Sequence, residues 1–264
     1  MNKEKLVKKQ AREAMKGNTL PIIAGISLAV VSVIFVEYLM YFFWAIFGAV
    51  DFETEEMNAA AKLPYFLTLA GGVIIGTLIS PIINGVFKTA SNAVINKDCN
   101  VTDVFFFFRS GRVYMKTMLI NMALFLIYGT LTSLFQGAMV SLMGTDGALG
   151  VTAMVISGVF KFLVYAWFIH YPLCLYAIDD SKSALRYMFG YIGFSFRHFG
   201  ALIRLAFSML GWILLCFFVV PLLYVGPYAL CAAINSARWL KKLDDEKAAH
   251  KYAPMQTYTG YTGQ

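Results

Sequence analysis

The chain has 264 residues, 59% of them hydrophobic and only 14% charged, with a mean hydropathy of +0.66. A soluble domain carries about a quarter charged residues, so this composition excludes a water-soluble globular protein and points to a membrane protein with little soluble mass. The net charge of +7 does not indicate a nucleic-acid partner, because the basic residues flank apolar blocks and no basic stripe alternates with base-stacking aromatics.

Residues 1–19 read as a short basic amphipathic helix. Val7, Ala11, Ala14 and Met15 share one stripe, and Lys3, Lys5, Lys8, Lys9, Arg12 and Lys16 cover the rest. Such a helix is expected in the headgroup plane, which makes Lys5, Lys8, Lys9 and Arg12 candidate contacts for the anionic inner leaflet. A solvated flank of the first span is the plainer alternative. Gly17 fits the position just past the helix end, Asn18 or Thr19 can cap the next helix, and Pro21 fits its first turn.

An all-α bundle of six spans is expected over 20–243, with spans at 20–47, 63–87, 117–143, 151–177, 199–220 and 225–241. The first apolar block is too long for a signal-peptide core and reads as an uncleaved span. The final apolar block covers roughly 40 residues, or about 60 Å of helix, enough for two crossings of a core about 30 Å thick. "PLLYVGP", bracketed by Pro221 and Pro227, is the expected turn between them. The polar segment 244–264 is expected to be a disordered tail.

With both termini inside, the inner segments hold twenty of the twenty-two Lys and Arg residues. The outer loops carry "DFETEE" at 51–56 and "GTDGALG" at 144–150. This asymmetry predicts an N-in, C-in orientation. Two inner loops are long enough to have structure. In 88–116, Thr102 or Asp103 can cap a short helix whose Phe105 to Phe108 enter the interface while Arg109 and Arg112 meet lipid phosphates. The loop at 179–198 mixes aromatics with Lys182, Arg186 and Arg197 in the same way.

Few residues carry chemistry. Glu37 stands inside the apolar run "VSVIFVEYLMYFFW", and Lys161 is the one basic residue well inside a span. Counted from the outer ends of spans one and four, they lie about 21 and 17 Å deep. An intramembrane Glu37–Lys161 ion pair is therefore expected, either fixing helix pairing or joining a transport path. His170 falls on the opposite face from Lys161 and reads as an interfacial histidine, and Asp179 and Asp180 read as helix-start caps. Gly72, Gly76 and Ser80 recur every four residues as a seam for close helix packing, within the chain or between copies, ahead of Pro81 and Asn84.

The four cysteines form no C-x-x-C pair, and no hydrolase, zinc-protease or P-loop motif is present. No catalytic residue, cofactor site or metal site is expected.

"YPLCLYAIDD" at 171–180, "SMLGW" at 208–212 and "GPYALCAA" at 226–233 follow an amino-terminal "LVKKQAREAMKGN" and a central "DVFFFF". In that order they resemble domain-of-unknown-function family nine-seven-five, a group of bacterial integral membrane proteins. The resemblance covers essentially the whole chain and implies a multi-pass protein of the bacterial cytoplasmic membrane. The family has no established activity. The expectation is a non-enzymatic scaffold, accessory or envelope-homeostasis factor that contacts lipid, a membrane-protein partner or a second copy. The alternative is a small permease or channel whose path includes Glu37 and Lys161.

Overall fold

The computed structural model describes residues 3–46, 71, 74–144, 147–215 and 219–252, and every regular element among them is helical. In chain order these are α1 (Lys3–Met15), α2 (Thr19–Ile46), α3 (Pro81–Ile95), a 3-10 helix η1 (Val101–Phe108), α4 (Gly111–Met143) and α5 (Gly147–Val164). A π-helical turn (Tyr165–His170), α6 (Tyr171–Ile178), α7 (Ala184–Arg197), α8 (Phe199–Leu215) and α9 (Val219–Tyr252) complete them. Among the described residues four stretches are long and apolar enough to cross a membrane: Thr19–Phe43, Ile74–Ile95, Gly111–Met143 and Gly147–Val164.

The core lies at one end of the molecule. There α3 packs against α2, η1, α6 and α9, and α1 packs across α9 and α3. The start of α2, the end of α3, the start of α4 and all of α6 contribute to one buried cluster that includes Ile22, Phe87, Phe107, Ile120, Leu173, Tyr176 and Ile234. Beyond it, α2, α4 and α5 run on with uncovered apolar side chains such as Phe35, Leu134 and Val155. That is how helices look when their remaining neighbour is a hydrocarbon solvent.

Local chemistry accounts for the element boundaries. Gly17 adopts φ +84° at the end of α1, where a left-handed residue closes the helix. Pro81, lacking an N–H, interrupts the helix described from Ile74 onward, leaving a turn at Ser80. Pro172 likewise removes the bond back to the carbonyl of residue 168. The preceding turn relaxes to π geometry, so the expected fourth span is a helix with a built-in bulge.

Several expectations change. The stripe of α1 is not offered to lipid: Val7, Ala11, Ala14 and Met15 are buried in the protein core, because α9 and α3 supply a closer apolar surface. Asn18 does not cap α2. Its Nδ2 donates to the carbonyls of Ala14 and Lys97, and its Oδ1 accepts from the Cys99 N–H at 3.1 Å. The segment 221–227 is helical, since Pro221 sits in the first turn of α9, where no donor is needed, and Pro227 is carried inside the helix. Residues 244–252 continue α9, so the expected tail is helical to Tyr252 and its remainder lies outside the described residues. The start of the expected second span, 63–70, also lies outside them.

The four phenylalanines form a 3-10 helix capped by Asn100, whose side chain accepts from the Thr102 N–H while Asp103 accepts from the Asn100 N–H. Three residues per turn place Val104 and Phe107 on one inward face, and both are fully buried, worth about 1.5–3 kcal/mol each. Phe105 and Phe108 point away from the core.

Candidate functional site

Glu37 and Lys161 form no ion pair among the described residues. Lys161 donates to Gln136 Oε1 at 2.7 Å, beside the stacked rings of Phe135 and Phe160 that join α4 to α5. Glu37 rides on α2, whose neighbours are α3, α9 and η1. Depth matching gave both residues a similar height but carried no information about which helices adjoin, and adjacency decides the pairing.

Glu37 instead borders a groove of about 410 Å³ between α2, the Ile74–Ile95 helix and α4. Ser32, Gly76, Thr77, Ser80, Ile83 and Phe125 are among its walls, which are predominantly apolar. Ser32 satisfies its hydroxyl on the Leu28 carbonyl, as a serine inside an apolar helix does. The groove has the shape and chemistry to hold a hydrocarbon chain with a polar atom near Glu37, but it does not reach Lys161.

The small-residue seam is partly described. A methyl built on Gly76 would lie 4.0 Å from Val36, so this glycine faces α2 within the chain. Ser80 is buried and accepts from Asn121 Nδ2 at 2.8 Å, a polar tie between the second and third spans. Gly72 lies outside the described residues.

The basic end carries a different surface. At about 100° per residue, Leu185, Phe189 and Phe196 of α7 fall within about 40° of one another, while Tyr187, Tyr191 and Phe194 lie on the opposite side. The second group is buried, whereas the first is uncovered at 67%, 72% and 55% exposure. Arg186 and Arg197 flank the uncovered stripe on one side, and exposed Lys182 precedes the helix. On η1 the pattern repeats with exposed Phe105 and Phe108 followed by exposed Arg109 and Arg112, the Arg109 guanidinium lying 5.3 Å from the Phe106 ring.

The bases of α1 divide. Lys5 and Lys9 are exposed, Lys9 lying 4.0 Å from Glu13. Lys8 donates to the Ser208 carbonyl at 3.1 Å and Arg12 bonds Tyr228, so these two are partly spent on fastening α1 to the bundle.

The α7 surface is held rigidly. Tyr176 and Tyr187 meet edge to face at 5.1 Å, Phe107 stacks on Tyr176, and the Tyr187 hydroxyl donates to the Asp179 carbonyl. Lys116 donates to the Asp180 carbonyl and lies 4.7 Å from the Tyr187 ring. Lys88 donates to the Ala177 carbonyl at 3.1 Å, so two lysines neutralise the negative C-terminal end of α6.

Asp179 does not cap α7. Its Oδ1 accepts from the Ser181 N–H and hydroxyl, and its Oδ2 pairs with Lys241 of α9 at 3.0 Å. Burial works against this carboxylate, yet the Ser181 and Lys241 hydrogen bonds outweigh it and hold the group well below the usual carboxylate range. Asp180 makes no side-chain cap for α7 either, because its N-cap, Ser183, has none. Asp244 closes the other end of α7 by meeting His198 at 3.0 Å and Arg197 at 3.5 Å. His170, read as interfacial, is packed between the rings of Phe87, Tyr165 and Tyr171.

Among the described residues no group of three or more His, Cys, Asp or Glu side chains is placed to hold a metal ion. No family model, curated protein or solved structure matches this chain, so the resemblance to the bacterial membrane family rests on the quoted motifs alone.

Proposed function

We propose that the chain is a multi-pass protein of a bacterial cytoplasmic membrane that acts without catalysis, as a scaffold or accessory factor, through its contacts with lipid and with membrane partners. In this reading α8 and the first part of α9 supply a fifth and a sixth span, and both termini are cytoplasmic. The clustering of α1, η1, α7 and the polar end of α9 at one end of the bundle supports an even number of crossings. The charge asymmetry supports placing that end inside.

One observation carries the reading: α7 is a two-sided helix, anchored by its tyrosine face and presenting an uncovered Leu–Phe stripe beside Arg186 and Arg197. Aromatic and aliphatic side chains next to arginines suit the boundary between acyl chains and anionic headgroups, with each base near such a surface worth about 1 kcal/mol. The test is lipid selectivity. The full chain, purified in mild detergent or polymer discs, should retain anionic phospholipid in excess of its membrane share. Replacing Arg109, Arg112 and Arg186 with Gln should remove most of that excess. Equal retention by the variant would remove the support for this reading.

The groove at Glu37 favours the permease as a second reading, with a path through Ser32, Thr77 and Glu37 and without Lys161. Solute flux in proteoliposomes that is abolished by Glu37→Gln would select it.

A further inference from the structure

At the basic end lies a cavity of about 460 Å³ between α1, α3 and α9, walled by Gln10, Glu13, Val94, Lys97, Asn235 and Arg238. Its walls are more polar than those of the Glu37 groove, and it lies apart from that groove and from the outward stripe of α7. Two of its walls are cations. Neither the Lys97 ammonium nor the Arg238 guanidinium has a hydrogen-bond or ion-pair partner among the described residues. Its acid, Glu13, is shared with Lys9.

The wall also holds an unmet donor. Asn235 is buried to 7% exposure, and its Nδ2 has no acceptor among the described residues. An unpaired buried amide hydrogen costs about 1–3 kcal/mol, so a group that brings an oxygen here recovers that loss. Lys97 has φ +60°, a left-handed backbone uncommon outside glycine, and the Asn18 amide fixes it there by donating to the Lys97 carbonyl at 3.1 Å. Lys97 follows the C-cap of α3, where a left-handed residue closes a helix, and this places a cation at the rim.

We infer that this cavity binds a phosphate group, with Arg238 and Lys97 meeting its oxygens and the Asn235 amide donating one hydrogen bond. A guanidinium, an ammonium and an amide donor match an oxyanion carrying several acceptors, and Arg in particular forms paired bonds to phosphate. The end of α3 points its carbonyls toward this region, which opposes an anion by about 0.3–1 kcal/mol. Two unpaired cations outweigh that term. The volume exceeds what a bare ion fills and lies in the range of small-molecule pockets, so the phosphate belongs to a larger molecule. That molecule is a phospholipid headgroup or a soluble phosphate ester.

The test places the full chain in phosphatidylcholine nanodiscs and follows its thermal unfolding midpoint. One arm adds glycerol 3-phosphate, with chloride at matched ionic strength as control, and the other incorporates phosphatidic acid. A rise with glycerol 3-phosphate identifies a soluble ester, and a rise only with phosphatidic acid identifies a headgroup. In either case K97Q/R238Q should weaken the response about tenfold in ligand concentration, while K16Q/K247Q, which removes as much charge elsewhere, should leave it unchanged. R238A alone provides a second variant, because Arg238 is exposed and makes no side-chain bond among the described residues, and it should weaken the response in the same direction. No rise in either arm, or a rise that persists in both cavity variants, overturns the proposal. The α7 surface is unaffected by either result.

Discussion

Gly85 of α3 lies against the backbone of Val104: a methyl group built on the glycine would stand 1.8 Å from the Val104 carbonyl oxygen. This contact lets η1 lie on α3 and bury Val104 and Phe107, so the phenylalanine loop is seated by the absence of a side chain. Gly85→Ala should cost about 3 kcal/mol, at the upper end of core overpacking, because the clash is with backbone and no rotamer relieves it. Thermal unfolding of the detergent-solubilised chain measures this. A loss under about 1 kcal/mol would show that η1 is not docked there.

Asn18 ties the end of α1 to the loop before η1 through the Lys97 carbonyl and the Cys99 N–H. Asn18→Ala leaves both groups without their partner and should cost about 2–3 kcal/mol. The neighbouring Cys99 thiol is pushed up to about 11, by burial first and then by Asp103 and Asp98. At pH 8 it should alkylate about two orders of magnitude more slowly than an ordinary thiol. Stability linked to the neutral thiol is complete below the unfolded value and is lost as the pH rises through the folded one. Mass-spectrometric alkylation rates check the first point, and they should rise in the Asn18 variant.

Asp179 supplies the acid limb. Its folded carboxyl lies below the ordinary value of about 3.9, so its stabilisation is present above that pH and disappears as the pH falls through the folded value. Asp179→Asn should flatten the loss of stability on acidification below about pH 4. Lys241→Met should flatten it in part, because Ser181 remains. Midpoints measured across pH for the three proteins decide this.

Because Lys161 bonds to Gln136 and not to Glu37, a double-mutant cycle of Glu37→Gln with Lys161→Met should show coupling below about 0.5 kcal/mol. The cycle of Gln136→Leu with Lys161→Met should show about 0.5–1.5 kcal/mol. Coupling in the first cycle as large as in the second would restore the pairing expected from depth.

The helical class and the long apolar helices were legible because they depend on runs of apolar residues, and those are written locally. α2 begins one residue before the expected start of the first span, and Gly17 marked the end of α1 by its conformational freedom. Facts of adjacency were not legible. Nothing in "KKQAREAMKGN" says that its stripe meets α9 and not lipid, since both are apolar. The partner of Lys161 depended on α5 packing beside α4. Nothing in the sequence around Gly85 points to Val104, nineteen positions on, which lies against it. Pro227 misled in the other direction, because a proline marks a weak point in a helix and tertiary packing can carry the helix through it.

The central claim is that the outer stripe of α7 lies in the membrane interface, and a nitroxide at residue 189 tests it directly. Phe189→Cys is labelled in the full chain with Cys99 and Cys216 replaced by Ser, reconstituted in anionic bilayers, and probed by collision with oxygen and with a water-soluble nickel chelate. The account predicts strong oxygen collisions and weak nickel collisions at residue 189, and the reverse at a label on residue 247. Equal nickel accessibility at the two positions would contradict it.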